Sequence, residues 1–510
     1  MGFLSPIDVP ASDWLNVGLC FVGIVLFIAA AELARSRIGW PTEINRKLVH
    51  VATGILIFFT PMFFQTAAPL VVMALLFILV NAVGIKTGKL KGMHDTRRTS
   101  YGTVFYPVTF LILVLTCWEN HKTVLQLSVL ILAVSDAMAA LVGENLRSPH
   151  EYRLGADKKS LEGSATMFIS GFLMVWLLLP YLVVQDGRIV SGPQALWIAF
   201  VTATVATAME ALSSKGSDNL TAPLGAAFVL GFMLTHPDAD NLRLTLGMGL
   251  GLSIAVGSWA MHFLTASGSV GTFLLATLIY GVGGWEWTIP ILAFFFLSSL
   301  ISKFGRVHKK RFDTIFEKSS RRDIGQVLAN GSVAGSIAVL HHFFPGLRLF
   351  TVYLASLAAV TADTWATEIG VFSKKQPVLV TTWKEVPIGT SGGITWLGTA
   401  GAVLGSLVLA ASGWLASSPE FRNLPWWKTF GVVSASGLGG SLADSVLGAL
   451  LQAQYRCPSC RKITEKRVHC KGRSTRLVSG FSWMNNDRVN ALCSLAGALI
   501  AGLGLTLGTP

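Results

Sequence analysis

Apolar runs long enough to cross a bilayer, separated by short polar loops, follow one another along all 510 residues. Hydrocarbon offers backbone N–H and C=O groups no water, so only helices and closed barrels span it. Runs of about 20 residues fit helices rather than the roughly 10-residue strands of barrels. The composition agrees, with 52% hydrophobic and 13% charged residues, against roughly 25% charged in soluble domains. The expected fold class is all-α: a polytopic integral membrane protein with about 16 transmembrane helices in two tandem related halves. The expected spans run from 13–34 to 489–508 and include 48–64, 102–117, 219–235, 261–280 and 287–302.

The net charge of +13 follows topology. Lys and Arg cluster at 35–47, 86–98, 147–159, 303–322, 374–384 and 456–476, and an even number of expected spans separates neighbouring clusters. All six clusters then share one side, which the positive-inside rule makes the cytoplasm. Basic residues confined to short loops do not make a nucleic-acid surface, so no nucleic-acid polymer is expected as a partner. Before the first run stand Asp8 and Asp13, and after it Arg35 and Arg37. That is the reverse of a signal peptide, and it places the start of the first span outside.

One polar signature occurs twice inside apolar sequence. Ser135 to Gly143 reads SDAMAALVG and Ala362 to Gly370 reads ADTWATEIG, both fitting D-x2-A-x3-G. A basic stretch and then small residues follow each: Lys158, Lys159, Ser160, Gly163 and Ser164 in the first, and Lys384, Gly389, Thr390, Ser391 and Gly392 in the second. Upstream of each lies an Arg pair, Arg97-Arg98 or Arg321-Arg322. Further downstream lie an acid and an Asn/Asp group: Glu210 with Asp218-Asn219, and Asp444 with Asn485-Asn486-Asp487. The order is kept, which predicts two related domains, 1–240 and 241–510, the second carrying a cysteine-containing cytoplasmic loop at 455–480.

A carboxylate within a span costs about 2.5–3.5 kcal/mol on the insertion scale and marks function by default. Asp136, Asp218, Asp363, Asp444 and Asp487 are the candidate catalytic acids. Such acids suit Mg²⁺ binding and acceptance of a proton from an attacking hydroxyl, the two needs of phosphoryl transfer. Arg46, Lys47, Arg98, Lys158, Lys159, Arg322 and Lys384 are candidate phosphate-binding cations. Ser160, Gly163, Asn219, Gly389, Thr390, Ser391, Gly392 and Asn486 are candidate cradle residues, their amides free to approach an anion at a helix start. His50, one turn after Arg46, contacts either a phosphate or a neighbouring helix. No Walker-type loop occurs. Cys457, Cys460, His469 and Cys470 have the ligand types and spacing of a small structural Zn²⁺ site. Cys20, Cys117 and Cys493 read as apolar packing residues.

RKLVHVATG, RRTSYGT, SDAMAALVG, KKSLEGS and EALSSKGSDNL, across roughly residues 40–235, resemble the phytol kinase/dolichol kinase family. The second half, roughly 255–508, is similar to the phytyl-phosphate kinase family that includes eukaryotic transmembrane protein 19. The resemblance is carried by ADTWATEIG, TTWKEVPIGTSGG, GSLADSVLGA and RVHCKG. Together they imply a fusion of two kinases, alcohol to monophosphate and monophosphate to diphosphate, with CTP as donor and Mg²⁺ as cofactor. The implied partners are prenyl alcohols, prenyl phosphates, CTP and the bilayer. Ser135 stands where the first family often carries Gly. The competing readings are a membrane lipid cytidylyltransferase and a secondary transporter with parallel repeats.

Overall fold

The computed structural model describes residues 9–87, 100–309, 321–345, 349–417, 425–470 and 472–507. The fold is all-α, and among the described residues strands occur only in short hairpins and one small three-stranded sheet. Twelve helices are long and apolar enough to cross a membrane among the described residues, and the chain is a multi-pass membrane protein. Four of the expected spans account for the difference from about 16. Thr42–Phe58 and Asp218–Thr235 are helices, but the first has only 17 residues and the second, with Asp218 in its first turn, falls short in apolarity. Gly102–Cys117 is apolar but has only 16 residues. The expected span 287–302 and most of 261–280 fall within one element, Ala266–Lys309, bent where Gly284 adopts φ 59°. A positive φ of this kind is a glycine conformation.

The chain divides into two compact units, Met1–Asp238 and Ala239–Pro510. Both contain the same succession. In the first unit it is Gly102–Cys117, the signature segment Lys122–Asn145, a hairpin pairing Glu151–Tyr152 with Lys159–Ser160, then Leu161–Leu182, Gly192–Leu212 and Asp218–Thr235. In the second it is Ile324–Phe343, the signature helix Leu349–Gly370, a hairpin pairing Val378–Leu379 with Gly393–Ile394, then Trp396–Ala416, Trp426–Leu450 and Asn486–Leu507. A lobe of short strands at 454–479 is inserted before the last helix.

In each unit the signature helix is the most enclosed span, packed on every side by other helices. Leu125, Leu127 and Leu132 are fully buried in the first, and Tyr353, Leu354 and Leu357 in the second. The outer helices expose their apolar side chains, as Leu15, Leu19, Val22 and Leu26 do, which is the surface a bilayer covers.

The signature's small residues make this packing close. A Cβ on Gly143 would lie 2.6 Å from Ser160 Oγ, and one on Gly163 would lie 3.0 Å from the Ala139 carbonyl oxygen. The second unit repeats the contact. A Cβ on Gly398 would lie 2.8 Å from the Ala366 carbonyl oxygen and one on Gly370 3.2 Å from Thr395 Oγ1. Ser160 and Thr395 both cap the following helix, accepting from the amides of Gly163 (3.1 Å) and Gly398 (3.0 Å). Small residues are how membrane helices bring their backbones together.

Candidate active site

In the first unit the signature segment changes its winding just before its acid. Ile131–Ser135 is a π-helical turn, and Asp136 follows it directly. Such turns disturb the regular carbonyl ladder and recur at functional sites. Here the Leu132 carbonyl oxygen lies 3.0 Å from His50 Nε2, and the His50 ring meets Tyr106 edge-on at 4.8 Å. His50 thus contacts a neighbouring helix, one of the two roles its sequence context left open.

Asp136 lies within electrostatic reach of Asp218, Lys159, Glu210 and Arg46. Lys159 comes from the end of the hairpin. Its ammonium donates to the buried Glu210 carboxylate and lies 3.4 Å from Asp218 Oδ2. Burial pushes the Lys159 ammonium down, but Asp218, Glu210, Asp136 and the bond to Glu210 outweigh it and hold it above its ordinary value. Lys159 is therefore a fixed cation among three acids. Asp218 and Asn219 open the last helix of the unit. The Asn219 side chain donates to the Gly102 carbonyl oxygen at 3.0 Å and its own carbonyl accepts from Thr109 Oγ1 at 2.7 Å, tying two helix starts together.

The other expected cations are placed differently. Arg46 pairs with Glu43 at 2.8 Å, and Lys47 with Glu144 at 2.8 Å, beside Gly143. Lys158, just ahead of the strand, is exposed and pairs with Glu151 at 2.6 Å, whereas Lys159 turns inward. Arg98 lies outside the described residues.

In the second unit, two carboxyl groups meet. Asp363 on the signature helix lies within hydrogen-bonding reach of Asp444 on Trp426–Leu450. A pair this close needs a proton or a cation between its members. Asp487 and Asn486 open the last helix. Asn486 lines a small polar cavity with Glu465, Arg467 and Asn485.

The cradle in this unit departs from expectation. Gly389–Gly392 does not start a helix; the helix begins at Trp396 behind its cap Thr395. The segment instead closes the hairpin, with Thr390 bonded back to the Pro387 carbonyl at 2.7 Å. Gly392, at φ 80°, lies so close to the Asp444-bearing helix that a Cβ would be 2.6 Å from the Ser445 carbonyl oxygen. Ser391 Oγ donates to Glu465 at 3.3 Å, and Gln452 Nε2 donates to the same oxygen at 2.8 Å. Lys384 is exposed in the hairpin loop. The position matching Lys159, one residue before the cap, is Ile394.

Arg322 stands ahead of Ile324–Phe343. Its guanidinium lies over the rings of Phe294 and Phe295 at 5.3 and 5.8 Å. Burial pushes it below its ordinary value while Glu368 pushes the other way, and it keeps its charge at neutral pH. An apolar groove beside it is lined by Ile254, Leu275, Ile291 and Leu292, with Gln326 and Asn330 at its polar edge.

Glu210, named in the repeated pattern but not among the catalytic candidates, joins the first cluster, and Glu465, not expected at all, joins the second. Glu210 carries a sequence signal, a lone acid at the end of an apolar run; Glu465, in a charged loop, carries none. The four metal-type ligands do converge: one donor atom from each of Cys457, Cys460, His469 and Cys470 lies within 4.8 Å of the others.

Known proteins are similar over about half of the chain. Protein PGR of Arabidopsis thaliana is 29% identical over 284 residues, covering 52% of this chain and 97% of its own. An uncharacterized membrane protein of Methanocaldococcus jannaschii is 30% identical over 240 residues, covering 47% of this chain and 85% of its own. A phytol kinase of Synechocystis sp. is 28% identical over 229 residues, covering 44% of this chain and 93% of its own. No solved structure matches. Residues 249–498 match the family model described as integral membrane protein DUF92, and the chain belongs to that family.

Proposed function

We propose that this chain is a bifunctional membrane kinase. Its first unit would phosphorylate a prenyl alcohol such as phytol or geranylgeraniol, and its second the resulting monophosphate. The observation that carries the reading is the enclosed cluster of Asp136, Lys159, Glu210 and Asp218 in a unit whose chain has a phytol kinase among its relatives. The Asp363–Asp444 pair takes the corresponding place in the second unit.

In the first step the substrate hydroxyl oxygen attacks the terminal phosphorus of the nucleotide. A new P–O bond forms, the bond to the bridging oxygen breaks, and a nucleoside diphosphate leaves. The hydroxyl proton passes to a carboxylate, Asp136 or Asp218, while Lys159 offsets the charge on the transferred group. In the second step a phosphate oxygen is the nucleophile, Asp363 and Asp444 serve the transfer, and Arg322 neutralises the substrate phosphate beside the apolar groove that takes the isoprenoid tail.

Mg²⁺ would lie on these carboxylates and on the nucleotide phosphates, screening their charge. The donors fit, being hard oxygen ligands, and Glu210 and Asp444 each keep a buried oxygen without a hydrogen-bond partner. CTP as donor rests on the family resemblance. Joining the steps in one chain raises the effective concentration of the intermediate at the second site.

The test is to incubate purified protein with labelled CTP, Mg²⁺ and a panel of prenyl alcohols, and to separate mono- from diphosphates. CDP release with sequential appearance of both products is expected. Pyrophosphate release would mark a cytidylyltransferase and overturn the proposal.

A further inference from the structure

We propose that the 454–479 lobe holds one zinc ion through Cys457, Cys460, His469 and Cys470, and that the ion sets the position of Glu465 against the 389–392 loop.

The ligands lie at the turns of two hairpins. Cys457 and Cys460 flank the bend between Gln454–Arg456 and Ile463–Thr464, while His469 and Cys470 open the bend between Val468–His469 and Arg473–Ser474. His469 Nδ1 lies 3.5 Å from Cys460 Sγ and 3.2 Å from Cys470 Sγ. Ligands around a tetrahedral zinc, with bonds of about 2.3 Å to sulfur and 2.0–2.1 Å to nitrogen, stand about 3.5–3.8 Å apart. The two His469 distances match that spacing to within a few tenths of an ångström, and the four donor atoms, all within 4.8 Å of one another, need about 1 Å of closure at most. Three sulfurs and one imidazole select a zinc-type ion over Mg²⁺ or Ca²⁺.

Two further observations point the same way. The backbone amides of Ser459 and Cys460 are directed at the Cys457 sulfur, closing the turn around it. Arg461 at φ 56° and Cys470 at φ 42° occupy the left-handed region although neither is glycine. Such residues persist only where their surroundings hold them. No disulfide does so, since all six cysteines are free. The lobe's strands are two to four residues long and its core is little more than Tyr455, Cys457 and Thr464, too small to be stable without a staple.

Glu465 lies in sequence between the two ligand pairs. It accepts from Ser391 and Gln452, and it is within electrostatic reach of Asp444. Glu465 is thus a positioning residue for the loop packed against the Asp444 helix. That consequence for catalysis rests on the kinase reading above; the metal site does not.

The experiment measures metal in the full-length, tag-free protein purified in detergent without added metal. About one zinc ion per chain is expected by mass spectrometry. A mercurial reagent should release it in parallel with loss of the thiols. Iron, or no metal, together with freely reactive Cys457, Cys460 and Cys470, overturns the site. Glu465→Gln should keep the zinc and lower diphosphate formation at least tenfold while monophosphate formation continues. Unchanged diphosphate formation in that variant overturns the positioning role. If wild-type protein carries zinc but phosphorylates nothing, the kinase reading fails and the metal site stands.

Discussion

The carboxyl groups of Asp363 and Asp444 lie within hydrogen-bonding reach of one another, across the packed faces of two membrane helices. Asp363→Asn and Asp444→Asn each remove one member while keeping a polar group of the same size. We expect either change to slow the second phosphorylation by about 10²–10⁴-fold, the usual worth of a general base. Labelled monophosphate should accumulate, because the first unit is untouched. Diphosphate formation at the wild-type rate in both variants would remove the pair from the mechanism.

Lys159 makes a different prediction, because it balances buried charge as well as facing substrate. Lys159→Met strands Glu210 and Asp218, and breaking a buried pair in this way typically costs about 3–5 kcal/mol. The variant should unfold at lower temperature and lose the first step. Adding Glu210→Gln removes one stranded charge, so stability should largely return while activity does not. Thermal unfolding in detergent and monophosphate yield measure the two effects separately. Recovery of activity in the double variant would make Lys159 a structural cation only.

The double occurrence of D-x2-A-x3-G was readable because it has two jobs at fixed helical spacing. The acid faces the polar cluster, while Ala139 and Gly143, or Ala366 and Gly370, lie against the next helix. The all-α class was readable from span length alone. What followed the signature was not. Counting 20 residues from Gly143 reaches Gly163, and the same count from Gly370 reaches Thr390, whereas the matching glycine is Gly398. The second hairpin is longer, and a small-residue loop within it imitates the helix start. Nor does the sequence say that Lys159 meets Glu210, since 51 residues separate them and only the packing of the hairpin onto the helix end joins them.

That matching yields a prediction about folding. Gly163→Val and Gly398→Val place branched side chains where a Cβ already approaches a carbonyl oxygen within 3.0 and 2.8 Å. Overpacking of this kind costs about 1–3 kcal/mol. Both variants should show lowered melting temperatures, whereas Gly192→Val, at a glycine with open space around it, should not. Equal melting temperatures for all three would mean that the signature contact contributes nothing.

The two basic hairpins and the cysteine lobe all fall in Lys/Arg clusters, which the positive-inside rule assigns to the cytoplasm. A nucleotide-consuming site must open to that side. Lys158 and Lys384 are exposed, so Lys158→Cys and Lys384→Cys introduce accessible thiols without disturbing a buried contact. Measured against the background of the unsubstituted protein, a membrane-impermeant maleimide should add label at neither new cysteine in intact cells and at both in inverted vesicles. Labelling of either from outside the cell would place that hairpin on the side without nucleotide, and phosphoryl transfer at that unit would then lack its donor.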